Sequence, residues 1–350
     1  MNKTKSYKHF LITVICIFCM LVIASCTKDT SKKELPKPVN KVKVGFSMGT
    51  LMQDRWIRDR DIFMAIAQQK DIDVIVKNAN NDSEIQYNQV LDMLKQKIDV
   101  LVIAPNDSYT EKRCVQAAKS INVPVISYDR LVADGNADLY ISFDHYKVGE
   151  EMAKHLVEKV PSGGYMIING SKNDHNSTLI NEGAKKVLKS YLDKQEISII
   201  AETWVDGWVR EDAYTFASEQ IKLNKDRIDA VICGNDSLAW GVIDALAEAQ
   251  ITEKVKVTGQ DADLVACQRI VMDMQTMTVY KPIKNLVEET VEACLKLANG
   301  EKPEYQGIIN DGTYDIPYIY IDVQSVTKDN LDSTIIKDGF HLSKDVYQTN

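Results

Sequence analysis

Charged and amide side chains stand after several segments of this chain that are predicted to be β-strands, together with two tryptophans. Carboxylates accept hydrogen bonds, Arg and Lys donate them, and Asn does both. A hydroxyl group donates and accepts at once, so the set suits a small ligand rich in hydroxyls. The candidate binding residues are Arg55, Trp56, Asp129, Arg130, Asn176, Trp204, Asn235, Asp261 and Lys281.

Other roles are open for some residues of these segments. Trp56 and Trp204 would pack on the apolar C–H faces of a ring-shaped ligand, although a lone tryptophan is more often part of a core. Asp129 and Arg130 could instead form a structural ion pair. We assign Trp208, together with Trp240, to packing. Two further residues, Asp144 and Asp236, are predicted to cap helices.

Short apolar segments rich in β-formers alternate with helix-period segments through most of the chain, which predicts two parallel α/β sheets. Ligands bind outside the carboxyl ends of the strands in such sheets. Ser83 with Gln86 predicts a capping box at one helix start. The predicted strands form two sets, 42–48, 73–79, 99–105, 123–129 and 140–144, then 164–171, 198–205, 229–235, 255–261 and 276–281.

Several classes of chemistry find no support in the sequence. The first strand lacks the Gly-x-Gly-x-x-Gly pattern of dinucleotide sites, and a Walker loop, a Gly-x-Ser-x-Gly elbow and a His-Glu-x-x-His motif are also missing. We therefore predict neither a cofactor nor a metal. The formal charge of −8 argues against nucleic acid as a partner.

The cysteines do not form a metal-binding or redox pattern. Cys114, Cys233, Cys267 and Cys294 are widely spaced in the predicted folded part. We expect buried free thiols, although an exported protein could pair two of them.

The first residues are typical of an export signal. Lys3, Lys5 and Lys8 precede an apolar stretch that is too short to span a membrane, and Ile23-Ala24-Ser25-Cys26 resembles a bacterial lipobox. We therefore expect a signal peptide over residues 1–25, lipidation of Cys26 and a flexible spacer over 26–41. An uncleaved anchor with an incidental cysteine is the alternative.

Several longer segments resemble bacterial xylose-binding proteins, a branch of the ribose/galactose-type periplasmic binding proteins. The likeness runs from about residue 42 to residue 341. The segments are Asp54-Arg55-Trp56, Tyr128-Asp129-Arg130, Tyr140-Ile141-Ser142-Phe143-Asp144, Trp204-Val205-Asp206-Gly207-Trp208, Gly259-Gln260-Asp261-Ala262-Asp263, Gln275-Thr276-Met277-Thr278-Val279-Tyr280-Lys281-Pro282 and Ile336-Lys337-Asp338-Gly339-Phe340-His341.

The resemblance implies a type I periplasmic-binding-protein fold, with two α/β lobes joined by three crossovers and a monosaccharide in the cleft between them. It places residues 42–145 plus 282–318 in the N-terminal lobe and 146–281 plus 319–350 in the C-terminal lobe. The nine candidate residues given above are its expected ligands. The loop around Asn176 is composed differently from the family's loop.

The resemblance further implies a D-xylose receptor that serves an ABC importer, and the lipobox predicts that a lipid holds it on the membrane. A sugar sensor that docks on a membrane histidine kinase needs the same cleft and stays open as an alternative. A repressor would carry a helix-turn-helix where this chain has the signal. Glycoside cleavage is disfavoured because Asp129 and Asp261, with basic neighbours, would stay ionised.

Overall fold

The computed structural model describes residues 41–348, in which strands and helices alternate. The predicted signal, lipidated Cys26 and all of the predicted spacer 26–41 except its last residue lie outside the described residues. The strands are β1 Lys43–Met48, β2 Asp73–Asn78, β3 Val100–Ala104, β4 Val125–Tyr128, β5 Leu139–Phe143, β6 Gly163–Asn169, β7 Ile197–Trp204, β8 Ala230–Cys233, β9 Lys256–Gln260, β10 Met277–Tyr280, β11 Gly307–Asn310, β12 Asp315–Ile321 and β13 Gln324–Val326.

The helices lie between the strands, as the sequence pattern predicts. They are α1 Asp54–Gln69, α2 Ser83–Lys95, α3 Lys112–Lys119, α4 His145–Lys159, α5 His175–Asp193, α6 Arg210–Asn224, α7 Asp236–Glu248, α8 Leu264–Val271, α9 Ile283–Ala298 and α10 Ser343–Val346. Short 3₁₀ turns occupy Asp206–Trp208 and Lys225–Arg227, and a π-helical turn occupies Asp332–Ile336.

The strands form two separate sheets. One has seven strands in the order β11-β12-β5-β4-β3-β1-β2, and the other has six in the order β13-β10-β9-β8-β6-β7. Pairing is parallel except for β11 with β12 and β10 with β13. Central strands such as β3 and β8 are buried along their whole length, which explains why they are continuous apolar runs in the sequence.

The chain passes between the two sheets three times. It leaves the seven-stranded sheet after β5, returns after β10 so that α9 packs on α1, and crosses again between β12 and β13. We call the seven-stranded sheet with its helices the first lobe, and the six-stranded sheet with its helices the second lobe. Strand β12 continues to Ile321, three residues beyond the expected boundary at 318.

All ten predicted strands are confirmed, and β11, β12 and β13 are additional. The predicted capping box at Ser83 is wrong. Ser83 is already the first helical residue, and the side chain of Asp82 accepts from the backbone N–H of Ile85 at 2.9 Å. Gln86 does not reach back to the cap, because its amide donates to Ser47 Oγ and the Ala104 carbonyl inside the first lobe.

The two aspartates predicted as caps differ in outcome. Asp144 does cap α4, since its side chain accepts from the Lys147 N–H at 2.9 Å. The prediction for Asp236 is wrong because Asn235 caps α7 instead. Asp236 is buried below the loop, where Thr278 Oγ1 donates to it at 2.8 Å and Gln275 Nε2 at 2.7 Å.

Each of the four cysteines in the described chain is a buried free thiol, as expected. Burial raises the pKa of these thiols, which keeps them protonated. Within residues 41–348, no group of three or more His, Cys, Asp or Glu side chains is arranged to hold a metal ion.

Candidate functional site

A polar cavity lies between the lobes, at the carboxyl ends of strands from both sheets. All the candidate binding residues except Trp204 line it. The lining residues are Gln53, Arg55, Trp56, Asp129, Arg130, His145, Asp174, Asn176, Trp208, Asn235, Gln260, Asp261 and Lys281.

The first lobe contributes a buried cluster built on Arg55. The Nη1 of Arg55 donates to Asp129 Oδ2 at 2.9 Å, and the same guanidinium lies 3.2 Å from Asp59, one helical turn along α1. The hydroxyl of Tyr128 donates to Asp59 as well. Burial alone would raise the pKa of Asp129, but the charges of Arg55 and Lys281 outweigh it and lower that pKa. Asp129 is therefore an ionised acceptor.

The backbone of Asp129 is fixed in an unusual conformation. Its φ of 61° lies in the left-handed region, which only a few per cent of residues other than glycine adopt. The Asp129 carbonyl accepts from Tyr140 Oη at 2.8 Å and from Ser142 Oγ at 2.6 Å. From the second lobe, Asn176 Nδ2 donates to the same carbonyl at 3.1 Å. These bonds aim the carboxylate and join the two lobes beside it.

Arg130 forms an ion pair across the site rather than with its neighbour in sequence. Its Nε lies 2.8 Å from Oδ2 of Asp174, which also caps α5. The guanidinium groups of Arg130 and Arg55 lie 5.1 Å and 4.2 Å from the ring of Trp56. Trp56 thus supports two cationic groups of the cavity wall. We did not predict Asp174 as a binding residue, because Asn176 was the residue of this loop that we named as a candidate.

The second lobe contributes an ion pair between residues that follow adjacent strands. Lys281 Nζ lies 2.6 Å from Asp261 Oδ1, and both side chains are buried. The cap of α7 uses the Oδ1 of Asn235, so its Nδ2 amide is available to a ligand. Gln260 Nε2 donates to the Gly234 carbonyl at 2.8 Å, which fixes the side chain of Gln260 in the wall.

The structure corrects the assignment of the two nearby tryptophans. Trp204 ends β7 half-buried and outside the cavity lining, with Lys172 Nζ 5.9 Å from its ring. Trp208, which we assigned to packing, does pack in the hydrophobic core but also lines the cavity. The chain turns at Gly207, where φ is 67°, and this turn brings the second indole inward. The segment holds both tryptophans, but the sequence did not show which one would face the cavity.

The indole of Trp208 packs against the backbone of two glycines, where no side chain intervenes. A Cβ atom on Gly170 would come within 2.2 Å of the indole, and one on Gly234 within 3.0 Å. These glycines therefore make room for the flat ring. The Trp208 Nε1 has no hydrogen-bond partner within residues 41–348, although its atom is buried. A ligand hydroxyl is the kind of acceptor that would satisfy it.

His145 is a lining residue that the sequence reasoning missed. Ser142 Oγ donates to the Asp129 carbonyl, so at 3.1 Å it accepts from a protonated Nε2 of His145. The Nδ1 is then an unprotonated acceptor, and the described chain offers it no partner. Burial, opposed by Asp129 and assisted by the charges of Lys281 and Arg55, lowers the pKa of His145 to about 3. The imidazole is neutral at physiological pH.

The charges that line the cavity balance one another. Arg55 is paired with Asp129, Arg130 with Asp174 and Lys281 with Asp261. An ionic ligand would leave one buried partner uncompensated, which is costly. Donors, acceptors and two indole side chains thus surround a space that fits a small uncharged ligand rich in hydroxyls.

Comparisons with known proteins agree with this site. Residues 44–302 match the family described as periplasmic binding protein domain. The chain is 40% identical over 305 residues to the D-xylose-binding periplasmic protein of Escherichia coli, which covers 87% of this chain and 92% of that protein. Its counterpart in Haemophilus influenzae is 39% identical, with the same coverage.

Solved structures share the fold. A carbohydrate transporter solute binding protein from Chloroflexus aurantiacus, in complex with D-glucose, has a TM-score of 0.82 at 28% identity and covers 86% of this chain and 97% of its own. The fructose binding periplasmic domain of a hybrid two-component system has a TM-score of 0.74 at 18% identity, covering 87% of this chain and 98% of its own, and shows the fold alone.

Within the described residues, we find no helix with the length and apolarity that crossing a membrane requires. The relatives are sugar-binding proteins of the periplasm, and the chain is a binding protein rather than an enzyme. Its two α/β lobes and the cavity between them have the type I arrangement of these proteins. The chain therefore belongs to the periplasmic binding protein family, in the group of the D-xylose-binding periplasmic proteins.

Proposed function

We propose that this protein is an extracytoplasmic lipoprotein that binds D-xylose between its lobes and delivers it to an ABC sugar importer. The observation that carries the proposal is the charge-balanced cavity, whose three cations are each paired with a carboxylate. Paired ions of this kind are fixed donors and acceptors, which suits a neutral polyhydroxyl ligand.

The choice of D-xylose rests on the likeness to the two D-xylose-binding relatives. A pentopyranose carries only hydrogen at the ring carbon where glucose carries a hydroxymethyl group. We therefore expect glucose to bind more weakly, because the site must make room for its extra group. The sugar-binding residues that we propose are the candidate residues that line the cavity, with Trp208 in place of Trp204.

Delivery to an importer requires that the lobes release the sugar. Arg130 and Asp174 come from different lobes, as do Asp129 and Asn176, so closure around the sugar forms contacts that opening must break. For anchoring, the lipobox that ends at Cys26 supports a lipid on the new N-terminus, with the body outside the membrane.

A sugar-sensing role is the second candidate. The fold is also that of a fructose-binding domain in a hybrid two-component system. In this role the closed form would dock on the extracellular domain of a histidine kinase. Pull-down of the sugar-loaded protein with the candidate permease and the candidate kinase domain would separate the two roles.

Isothermal titration against D-xylose, arabinose, ribose, glucose and galactose tests the ligand. We expect D-xylose to bind most tightly. A different sugar that binds tenfold more tightly, a difference of about 1.4 kcal/mol, would overturn D-xylose as the ligand but would leave the receptor role in place. Absence of binding to all five sugars would overturn the receptor role as well.

A further inference from the structure

A second contact joins the lobes outside the sugar cavity. Arg58 projects from α1 of the first lobe onto the C-terminal segment of the second lobe. Its Nη1 donates to the Phe340 carbonyl at 2.7 Å, and its guanidinium lies 4.4 Å from the centre of the Phe340 ring. Its Nη2 donates to His341 Nδ1 at 3.0 Å. Neither Arg58 nor His341 lines the cavity.

The tautomer of His341 follows from its two partners. Arginine can only donate, so the Nδ1 that faces Arg58 carries no proton. The Nε2 is then protonated and donates to the Ala262 carbonyl at 2.7 Å. One buried, neutral imidazole thus connects Arg58 in the first lobe with the turn after β9 in the second.

That turn carries Asp261, one of the proposed sugar-binding residues. Ala262 directly follows Asp261, and their φ values of 53° and 104° both lie in the left-handed region. Such backbone persists only where surrounding contacts hold it. The Ala262 N–H donates to Thr278 Oγ1 at 3.2 Å, and the bond from His341 holds the other side of the same residue.

The same segment also supports Lys281, the partner of Asp261. The Phe340 ring contacts Tyr280 edge-on, with 4.9 Å between the ring centres. The Tyr280 hydroxyl donates to Asp338 at 3.0 Å. The C-terminal segment therefore holds, from behind, both strand ends that deliver the Asp261–Lys281 pair.

We propose that Arg58 and His341 are positioning residues for sugar binding, which join the closed lobes away from the cavity and hold the Asp261–Ala262 turn. This inference rests on the proposed function, because it concerns the affinity of the same site. Closure that brings Arg58 to His341 adds favourable contacts to the bound form alone, so it slows release of the sugar.

The contact is also sensitive to acid. A second proton on His341 would place an N–H donor against Arg58 and a cation beside its guanidinium. The other charged groups near His341 are Asp54 and Asp345, and Asp263 lies near Arg58. Burial and Arg58 lower the pKa of His341, although the Ala262 carbonyl and the two aspartates oppose this.

The direction of the pH effect follows from the lowered pKa of His341. When the lobes open, Arg58 leaves and the His341 pKa moves back toward its ordinary value of about 6.5. Protons then bind the open form better than the closed form. Sugar affinity from this contact is complete above about pH 6.5 and falls as the pH drops below it.

The test compares variants by isothermal titration and stopped-flow with D-xylose at about pH 7.5 and about pH 5.5. We expect Arg58→Ala and His341→Ala each to weaken binding about tenfold, mainly through faster dissociation. Their double variant should lose less affinity than the two single losses added together, because both variants remove the shared Arg58–His341 bond. The matched control is Arg60→Ala, since Arg60 lies on α1 but, among residues 41–348, pairs only with Asp61.

His341→Gln tests whether protonation of His341 causes the loss of affinity in acid. Glutamine can donate to Ala262 and accept from Arg58 but does not titrate, so it should retain most of the affinity at about pH 7.5 and lose less than the wild type at about pH 5.5. Thermal unfolding of each variant confirms that it is folded. Arg58→Ala that binds like Arg60→Ala, or equal acid sensitivity of His341→Gln and the wild type, overturns this inference alone. A folded wild type that binds no sugar overturns the proposed function together with it.

Discussion

The Nε of Arg130 and the Oδ2 of Asp174 lie 2.8 Å apart, in an ion pair whose two members come from different lobes. Arg130 follows β4 of the seven-stranded sheet, and Asp174 precedes α5 beside the six-stranded sheet. Both side chains are almost fully buried. The pair therefore exists only while the lobes are closed, and it forms part of the cavity wall.

Asp174→Asn should weaken D-xylose binding by about 1–3 kcal/mol, because closure would bury the Arg130 charge without its partner. Titration calorimetry measures the loss. Asp193→Asn is the matched control, since Asp193 pairs with Lys189 on the surface. Equal affinities of the two variants would contradict an interlobe role of the ion pair.

Replacing Trp208 should have a larger effect on affinity than replacing Trp204. Trp208→Ala removes one of the two indoles that line the cavity and should cost about 1 kcal/mol or more. Trp204→Ala should bind nearly as the wild type does. Gly170→Ala should reproduce the Trp208 defect, because its Cβ would displace the ring. A larger loss from Trp204→Ala would restore the assignment made from the sequence.

His145 should make the folded protein less stable in acid. Its folded-state pKa of about 3 lies below its ordinary value of about 6.5, so the unfolded chain binds the proton better. The contribution is complete above about pH 6.5 and is lost toward pH 3, at up to about 1.4 kcal/mol per pH unit. His145→Gln should flatten this part of a urea-unfolding series. Parallel pH profiles of variant and wild type would show that His145 does not titrate in this way.

Cys26→Ala should abolish fatty-acid labelling and release the protein from membranes or stall its processing. Metabolic labelling with a fatty acid, followed by membrane fractionation, checks both. Cys114→Ala is a suitable control because that thiol is buried in the folded part. Label that persists in the Cys26 variant would exclude this residue as the lipid site.

Much of the site was predictable because strand ends of a parallel sheet meet at one edge. Asp129, Asn235, Asp261 and Lys281 lie one or two residues after their strands, so finding the strands also located these side chains. The error in assigning the tryptophans has a different cause. Trp208 faces the cavity only because the chain turns at Gly207, and strand periodicity carries no information about such a turn.

Two other lining residues depend on contacts between distant segments. His145 begins α4, where its place suggests only the first turn of a helix, and its role comes from the bond with Ser142. Asp174 acquires its role from Arg130, which belongs to the other lobe. Local sequence shows that both residues are polar, whereas their partners are determined by how the two lobes meet.

The route of the chain between the sheets also determines how the protein can fold. Strand β12 pairs with β5, and α9 packs on α1, yet both follow the whole second sheet up to β10 in sequence. A chain that emerges amino-terminus first therefore leaves the edge of β5 open until residues 315–321 arrive. Unpaired edges of this kind are prone to aggregation. Neither lobe is complete until its last strand arrives, β12 for the first lobe and β13 for the second, so late truncations will cost the stability of both.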